Sequence, residues 1–289
     1  MISPFSSSCC AKTFFLGEYG AVATQRAIVW LTEPAFSAHF GDKTRPSSPL
    51  SPPCERLLQA LAPELLDSGY QFFDPYQGRG GLGASSAEFL LWMRALSFYR
   101  AESARWHHPA HWVKLLDIYT RYSWSGRGVP PSGVDVVAQN YSGLVYIDVP
   151  NKIYDALHWP FSDVGVVLAH TNQKLATHTH LESQVDADIW APLSGWVDKA
   201  RDALYAADLD QLITSMRGAY QQQQRLGLVA PHTQKLVSIL SGASCFLMAK
   251  GCGAMGSDVI LALYPVAREK EAIKQLSAQG LEVLTTLSY

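Results

Sequence analysis

With 289 residues, 48% of them hydrophobic and 17% charged, the chain can bury one large core or two modest ones. A net charge of −2 gives no footprint for nucleic acid or an anionic membrane, and no apolar run reaches the ~20 residues that span a bilayer. Met1–Cys10 lacks the basic start and apolar stretch of a secretory signal, and five cysteines, two of them adjacent, make no disulfide framework; a reducing cytoplasm is expected.

Thr13–Leu16 and Ala27–Thr32 are expected as strands, with Gly17–Gly20 as a turn between them. Gly41–Pro53 is dense in proline and serine, which oppose helix and central strand, so an exposed loop is expected. Leu57–Leu66 and Ser85–Arg100 read as helices; in the second, Phe89, Met93 and Leu96 recur at helical spacing. His111–Tyr122 reads as a third. Gly143–Val149 and Val164–Ala169 are short and β-rich, as buried strands are. Val197–Arg217 and His232–Leu240 read as helices. The chain then alternates: strand at Ser244–Ala249, strand at Asp258–Tyr264, helix at Glu269–Ala278 stopped by Gly280, strand at Leu281–Thr286. That order suits a split βαβ sandwich, an α+β arrangement.

Most of the chemistry is announced by Gly78–Ala87, a glycine-rich stretch running directly into a helix. Glycines let the backbone approach a ligand closely, and a helix beginning there aims unpaired N–H groups and its positive dipole end at that ligand. The pair makes a cradle for phosphate. Ser85 and Ser86 sit at the helix start, able to cap it or reach a magnesium ion. Taken literally, Gly78-Arg-Gly80-Gly-Leu-Gly83 also satisfies the dinucleotide fingerprint, with Glu102 near the place of a ribose-binding acid. That fingerprint needs a second strand after the helix, and the residues following Arg100 lack a β-rich run. A glycine turn with no ligand is the remaining alternative.

Three other segments accompany this loop. Lys12–Tyr19 leads a lysine along a strand into a Gly17-Glu18-Tyr19 turn. Pro130–Gln139 places Asp135 just after a Pro131-Ser132-Gly133 turn. Lys250–Asp258 is a turn of small residues between two strands. Together these resemble the four motifs of the GHMP small-molecule kinases, in that family's order and over most of the chain. Lys12–Tyr19 matches the first motif, Gly81-Leu-Gly83-Ala-Ser85-Ser86-Ala the second, Ser132-Gly-Val-Asp135 the aspartate element, and Gly253-Ala-Met-Gly256-Ser loosely the third. Met255 and Ser257 stand where the family prefers glycine.

The resemblance implies a two-lobed α+β fold: an N-terminal α/β lobe over residues 1–160 with the phosphate loop, and a C-terminal ferredoxin-like lobe over 161–289. It implies ATP held by Gly80, Gly81, Leu82, Gly83, Ala84, Ser85 and Ser86, with Ser85 on Mg²⁺, and Lys12 and Asp135 as catalytic residues. Glu18, Tyr19, Ser132, Gly133, Lys174, Gly253 and Ala254 would line the acceptor. The partner is then a small molecule, with phosphomevalonate favoured over mevalonate: Tyr19 leans that way, and Trp124 stands where mevalonate kinases carry a metal-binding glutamate. Arg79, Arg127, Lys174 and His178 are the cations that could meet an acceptor phosphate. No nucleic-acid or membrane partner is expected, and the chain is a monomer or a homodimer. A kinase fold that binds a nucleotide or metabolite without transferring phosphate stays open. Outside this set, His107, His108 and His111 suggest a metal only weakly, because no Cys or Glu completes a ligand set. Cys245, Cys252 and the tryptophans read as packing residues.

Overall fold

The computed structural model describes residues 3–44, 46–103, 105–173, 187–256 and 258–287. Two antiparallel sheets organise them. The first comprises β1 (Phe5–Leu16), β2 (Arg26–Phe40), β3 (Gln71–Phe73), β4 (Gly143–Asp148) and β5 (Ile153–Leu157), in the order β1-β2-β4-β5 with β3 also against β2. β1 starts well before Thr13. Its residues point alternately to the two faces, so that Cys9, Ala11, Thr13 and Phe15 are buried while the residues between them are more exposed. β2 continues past Thr32 because β1 pairs with it as far as Phe5 opposite Phe40.

Helix α1 (Gly20–Thr24) replaces the end of the expected turn. Helix α2 (Pro52–Leu61) begins on the two prolines that were expected to close a loop. The first helical positions have N–H groups without intrahelical acceptors, so proline costs nothing there. Helix α3 (Ala84–Tyr99) is buried on almost every side and packs on β1 and β2. It is followed by α4 (Trp112–Ser123) with no strand between among the described residues, which removes the βαβ unit that a dinucleotide fold requires. Short α5 (Val134–Ala138) packs against α3, α4 and β2.

The second sheet holds β6 (Val164–His170), β7 (Met248–Cys252), β8 (Val259–Pro265) and β9 (Glu282–Leu287) in the order β7-β8-β6-β9. Between β6 and β7 come α6 (Ser194–Ala206), α7 (Leu209–Arg225) and α8 (Pro231–Gly242); α9 (Glu269–Ala278) joins β8 to β9. β8 lies between β6 and β7, which is the split βαβ arrangement. The fold is α+β and two-lobed. The expected single helix over Val197–Arg217 is two helices. Ala207 turns left-handed at φ 52° and Asp208 caps α7, its Oδ1 accepting from the Gln211 N–H at 2.9 Å. No helix of the described residues is long and apolar enough to cross a membrane.

Both sheets share one hydrophobic cluster, and polar contacts fasten them. Arg26 on β2 reaches Asp148 on β4 and Asp198 on α6, each at 3.0 Å, and the Tyr146 hydroxyl donates to Asp198 at 3.0 Å. Deeper, Glu18 after β1 forms an ion pair with Lys250 on β7, where the lysine is 1% and the glutamate 7% exposed. Lys250 Nζ also lies 3.1 Å from Cys252 Sγ and 3.4 Å from the Phe14 carbonyl. Burial pushes the Cys252 thiol up to about 12, so it stays neutral at ordinary pH. Burial opposes charge on Lys250 as well, yet its pKa is raised, and with the thiol neutral Glu18 is the charge responsible. Lys250→Met should therefore strand a buried carboxylate and cost about 3–5 kcal/mol in urea unfolding. The double substitution Glu18→Leu, Lys250→Met should recover most of that loss; equal destabilisation by the single and double variants would contradict the pairing.

Candidate active site

The glycine-rich loop ahead of α3 is built against the outer edge of β1. Lys12 N donates to the Leu82 carbonyl at 2.9 Å, tying the strand to the loop. Gly81 (φ +81°) and Gly83 (φ +84°) both occupy the left-handed region that favours glycine. A Cβ on Gly83 would meet Lys12 Cγ at 2.7 Å and Cε at 2.9 Å, so the lysine stem lies directly on the loop. A Cβ on Gly81 would meet Asp258 Cβ at 2.6 Å, and one on Gly253 (φ +88°) would meet Asp258 Oδ2 at 2.2 Å. Asp258 is thus wedged between the second and third glycine loops. It is 5% exposed, and its carbonyl accepts from Thr171 N–H and Oγ1, each at 3.1 Å.

Gly83 is the N-cap of α3, and neither a side-chain cap nor an acidic residue fills the first turn. The N–H groups of that turn therefore remain available to an anion. Ser85 is exposed there, with its hydroxyl engaged by no described residue. Ser86 is different: its Oγ donates to the Gly83 carbonyl at 3.0 Å, a bond within the helix start.

Asp135 stands in the first turn of α5, half-buried, in no ion pair with a described residue. Its helix starts at Gly133 (φ +68°), where a Cβ would strike Leu116 Cδ2 at 2.1 Å. Ser132 accepts on its carbonyl from Gln25 Nε2 at 3.3 Å. Tyr119 on α4 lies close to Asp135. Its burial, and then the charge of Asp135, raise the phenol well above its usual range. One turn after Asp135, Gln139 donates from Nε2 to the Gly83 carbonyl at 3.2 Å and to the Cys10 carbonyl at 3.1 Å. Lys12, Gly83 and the Asp135 helix therefore converge. The Lys12 ammonium rests 4.8 Å from the centre of the Phe14 ring, a weak cation–π contact.

The other expected site residues divide. Glu18 pairs one carboxylate oxygen with Lys250, and its other oxygen is buried with no hydrogen-bond partner among the described residues. Tyr19 (φ 57°) reaches the third loop, its hydroxyl accepting from Met255 N–H at 2.8 Å, while its ring packs edge-on to Trp190 at 5.3 Å. Met255 itself is left-handed at φ 53°, and its carbonyl accepts from Ala230 N–H at 2.8 Å. Gly253 and Ala254 follow β7 in this loop. Arg79 is paired with Glu282 on β9 at 2.7 Å, and Arg127 is exposed. Lys174, His178 and Ser257 lie outside the described residues. Trp124 is 38% exposed after α4, its indole donating to the Arg127 carbonyl at 2.9 Å. Among the described residues no group of His, Cys, Asp and Glu could hold a metal, and His108 Nδ1 accepts from Ala110 N–H at 3.2 Å. The tie made by Gln139 was missed in the sequence, where Asp258 was noted only as the residue closing the third turn. Gln139 follows Asp135 by one helical turn, which was the available signal.

No family model matches the chain, and no curated protein matches its sequence. Solved structures do. Phosphomevalonate kinase of Streptococcus pneumoniae, in complex with phosphomevalonate and AMPPNP, is similar over 99% of this chain and 100% of its own, with TM-score 0.73 and 15% identity. Mevalonate kinase of Methanococcus jannaschii is similar over 99% of both chains, with TM-score 0.69 and 15% identity. Lactococcus lactis galactokinase, complexed with galactose, is similar over 99% of this chain and 92% of its own, with TM-score 0.76 and 11% identity. The chain has the fold of the GHMP kinases.

Proposed function

We propose that the protein is a cytoplasmic, ATP-dependent phosphotransferase that passes the nucleotide γ-phosphate to a small phosphorylated acceptor, phosphomevalonate. The observation that carries this reading is the convergence at Gly83 of three parts: the uncapped start of α3, the Lys12 stem, and Gln139 of the Asp135 helix. Phosphoryl transfer is chiefly positioning plus neutralisation of charge, and these parts have that chemistry. Gly80–Ser86 would hold the nucleotide phosphates on backbone N–H groups. Mg²⁺ would be held by Ser85 together with those phosphates, where it supplies neutralising charge when bound. Lys12 would turn its ammonium from Phe14 toward the transferring group, and Asp135 would orient the acceptor oxygen. The likeness to a phosphomevalonate kinase over the whole chain supports that acceptor, as does Trp124 in place of a carboxylate. Five free cysteines support a reducing compartment.

Gly83→Val should place a branched side chain against Lys12 and the bound phosphates. It should abolish binding of a non-hydrolysable ATP analogue in calorimetry while circular dichroism stays unchanged; undiminished affinity would remove the nucleotide from this loop.

Lys12→Met and Asp135→Ala should each lower kcat by roughly two to four orders of magnitude, with little change in ATP affinity, as expected of groups acting mainly in the transition state. With phosphomevalonate the rate should fall below about pH 6, as the acceptor phosphate takes up its second proton. Asp135→Asn should then keep much of the activity, because an amide still orients a neighbour and no proton need be removed. Coupled ADP release over phosphomevalonate and mevalonate decides the acceptor. Turnover of mevalonate alone would replace the acceptor but keep the mechanism, and ATP binding without turnover of either would favour a binding protein.

A further inference from the structure

Gln139 is 1% exposed and sits at the C-terminal end of α5. Its amide nitrogen faces two carbonyls at once, Cys10 on β1 at 3.1 Å and Gly83 in the glycine loop at 3.2 Å. Only the NH₂ end of an amide can donate to two carbonyls, so the orientation of the group is fixed by its partners. Its Oε1 is buried with no hydrogen-bond partner among the described residues. A buried acceptor left so is unfavourable, and that cost is borne to keep the donor end in place.

The two carbonyls are particular ones. Cys10 lies at an irregularity in the β1–β2 register, between the paired residues Cys9 and Ala11. Two residues further along the same strand, Lys12 N donates to Leu82 in the loop. Gly83 carries the Lys12 stem, a Cβ there meeting Lys12 Cγ at 2.7 Å and Gln139 Nε2 at 3.0 Å. Asp135 is one turn away on the helix of Gln139. A single side chain therefore joins the strand bearing Lys12, the loop that would hold phosphate, and the helix bearing Asp135.

We infer that Gln139 is the positioning residue of the site: it fixes the separation of Lys12 and Asp135 from the phosphate loop without touching the reacting atoms. This rests on the phosphotransferase reading above. Gln139→Met keeps the length of the side chain and removes both donors. It should lower kcat at least tenfold while the affinity for an ATP analogue changes less than about threefold. In the Asp135→Ala background the same substitution should lose most of its effect, because groups that act through one another are non-additive. Equal fold-losses in both backgrounds, or an unchanged kcat, would overturn the inference. Should Gln139→Met not fold, Gln139→Asn, one methylene shorter, keeps a donor that reaches only one carbonyl and is read in the same way. An independent readout is hydrogen exchange at the Lys12 amide, which Leu82 protects: it should speed at least tenfold in the variant. If the wild-type protein transfers no phosphate, the phosphotransferase reading fails and exchange alone decides: faster exchange upholds Gln139 as the tie between strand and loop, and unchanged exchange overturns it.

Discussion

The unpaired edge of β1 is the constraint from which the candidate site follows. A strand with β2 on one side only leaves backbone donors and acceptors that must find partners when covered. No further strand among the described residues supplies them. The Ser8 carbonyl takes Arg94 of α3 at 2.7 Å, the Cys10 carbonyl takes Gln139, and Lys12 N takes the Leu82 carbonyl. Alternate residues of one strand edge thus set the core helix, the short Asp135 helix and the glycine loop. Arg94 reinforces the arrangement by reaching Asn140 Oδ1 at 3.1 Å, beside Gln139. The strand that presents Lys12 is also the ruler against which its neighbours are placed.

The far end of β1 does the same for the second sheet. Glu18 reaches Lys250 and Tyr19 reaches the Met255 amide, so the turn after β1 is joined both to β7 and to the loop that follows it. Burying an ion pair gives little net stability, but its geometry is demanding, and a lysine with one charged partner in a dry interior has one place to be. The third loop can consequently depart from an all-glycine pattern. Met255 takes a left-handed conformation that costs a non-glycine residue energy, and bonds to Tyr19 and Ala230 on its two sides hold it there.

What was legible in the sequence is what depends on neighbours in the chain. Glu269–Ala278 was bounded by an acidic first turn and Gly280, and the helix has those bounds. The glycines at 81, 83 and 133 marked turns that indeed adopt positive φ. What was hidden depends on partners distant in sequence. The serine-rich start of β1 has weak strand propensity and is a strand because β2 runs beside it as far as Phe40. β3 is a short piece that exists through pairing with β2, some thirty residues earlier in the chain. The break between α6 and α7 was readable in the Asp208 cap and was missed. Within the site, motif order assigned Glu18 to the acceptor, and nothing local to Glu18 reveals that Lys250, far along the chain, takes its carboxylate.

Asp258 stands against two glycines that belong to different lobes, Gly81 and Gly253, with no room for a methyl group on either. Drift at these three positions is therefore not independent. An alanine at 81 or 253 is disfavoured by the positive φ and, while Asp258 keeps its place, also strikes that side chain; a larger residue at 258 is blocked while either loop remains closed upon it. Selection acting on the loop of one lobe is thereby felt in the other.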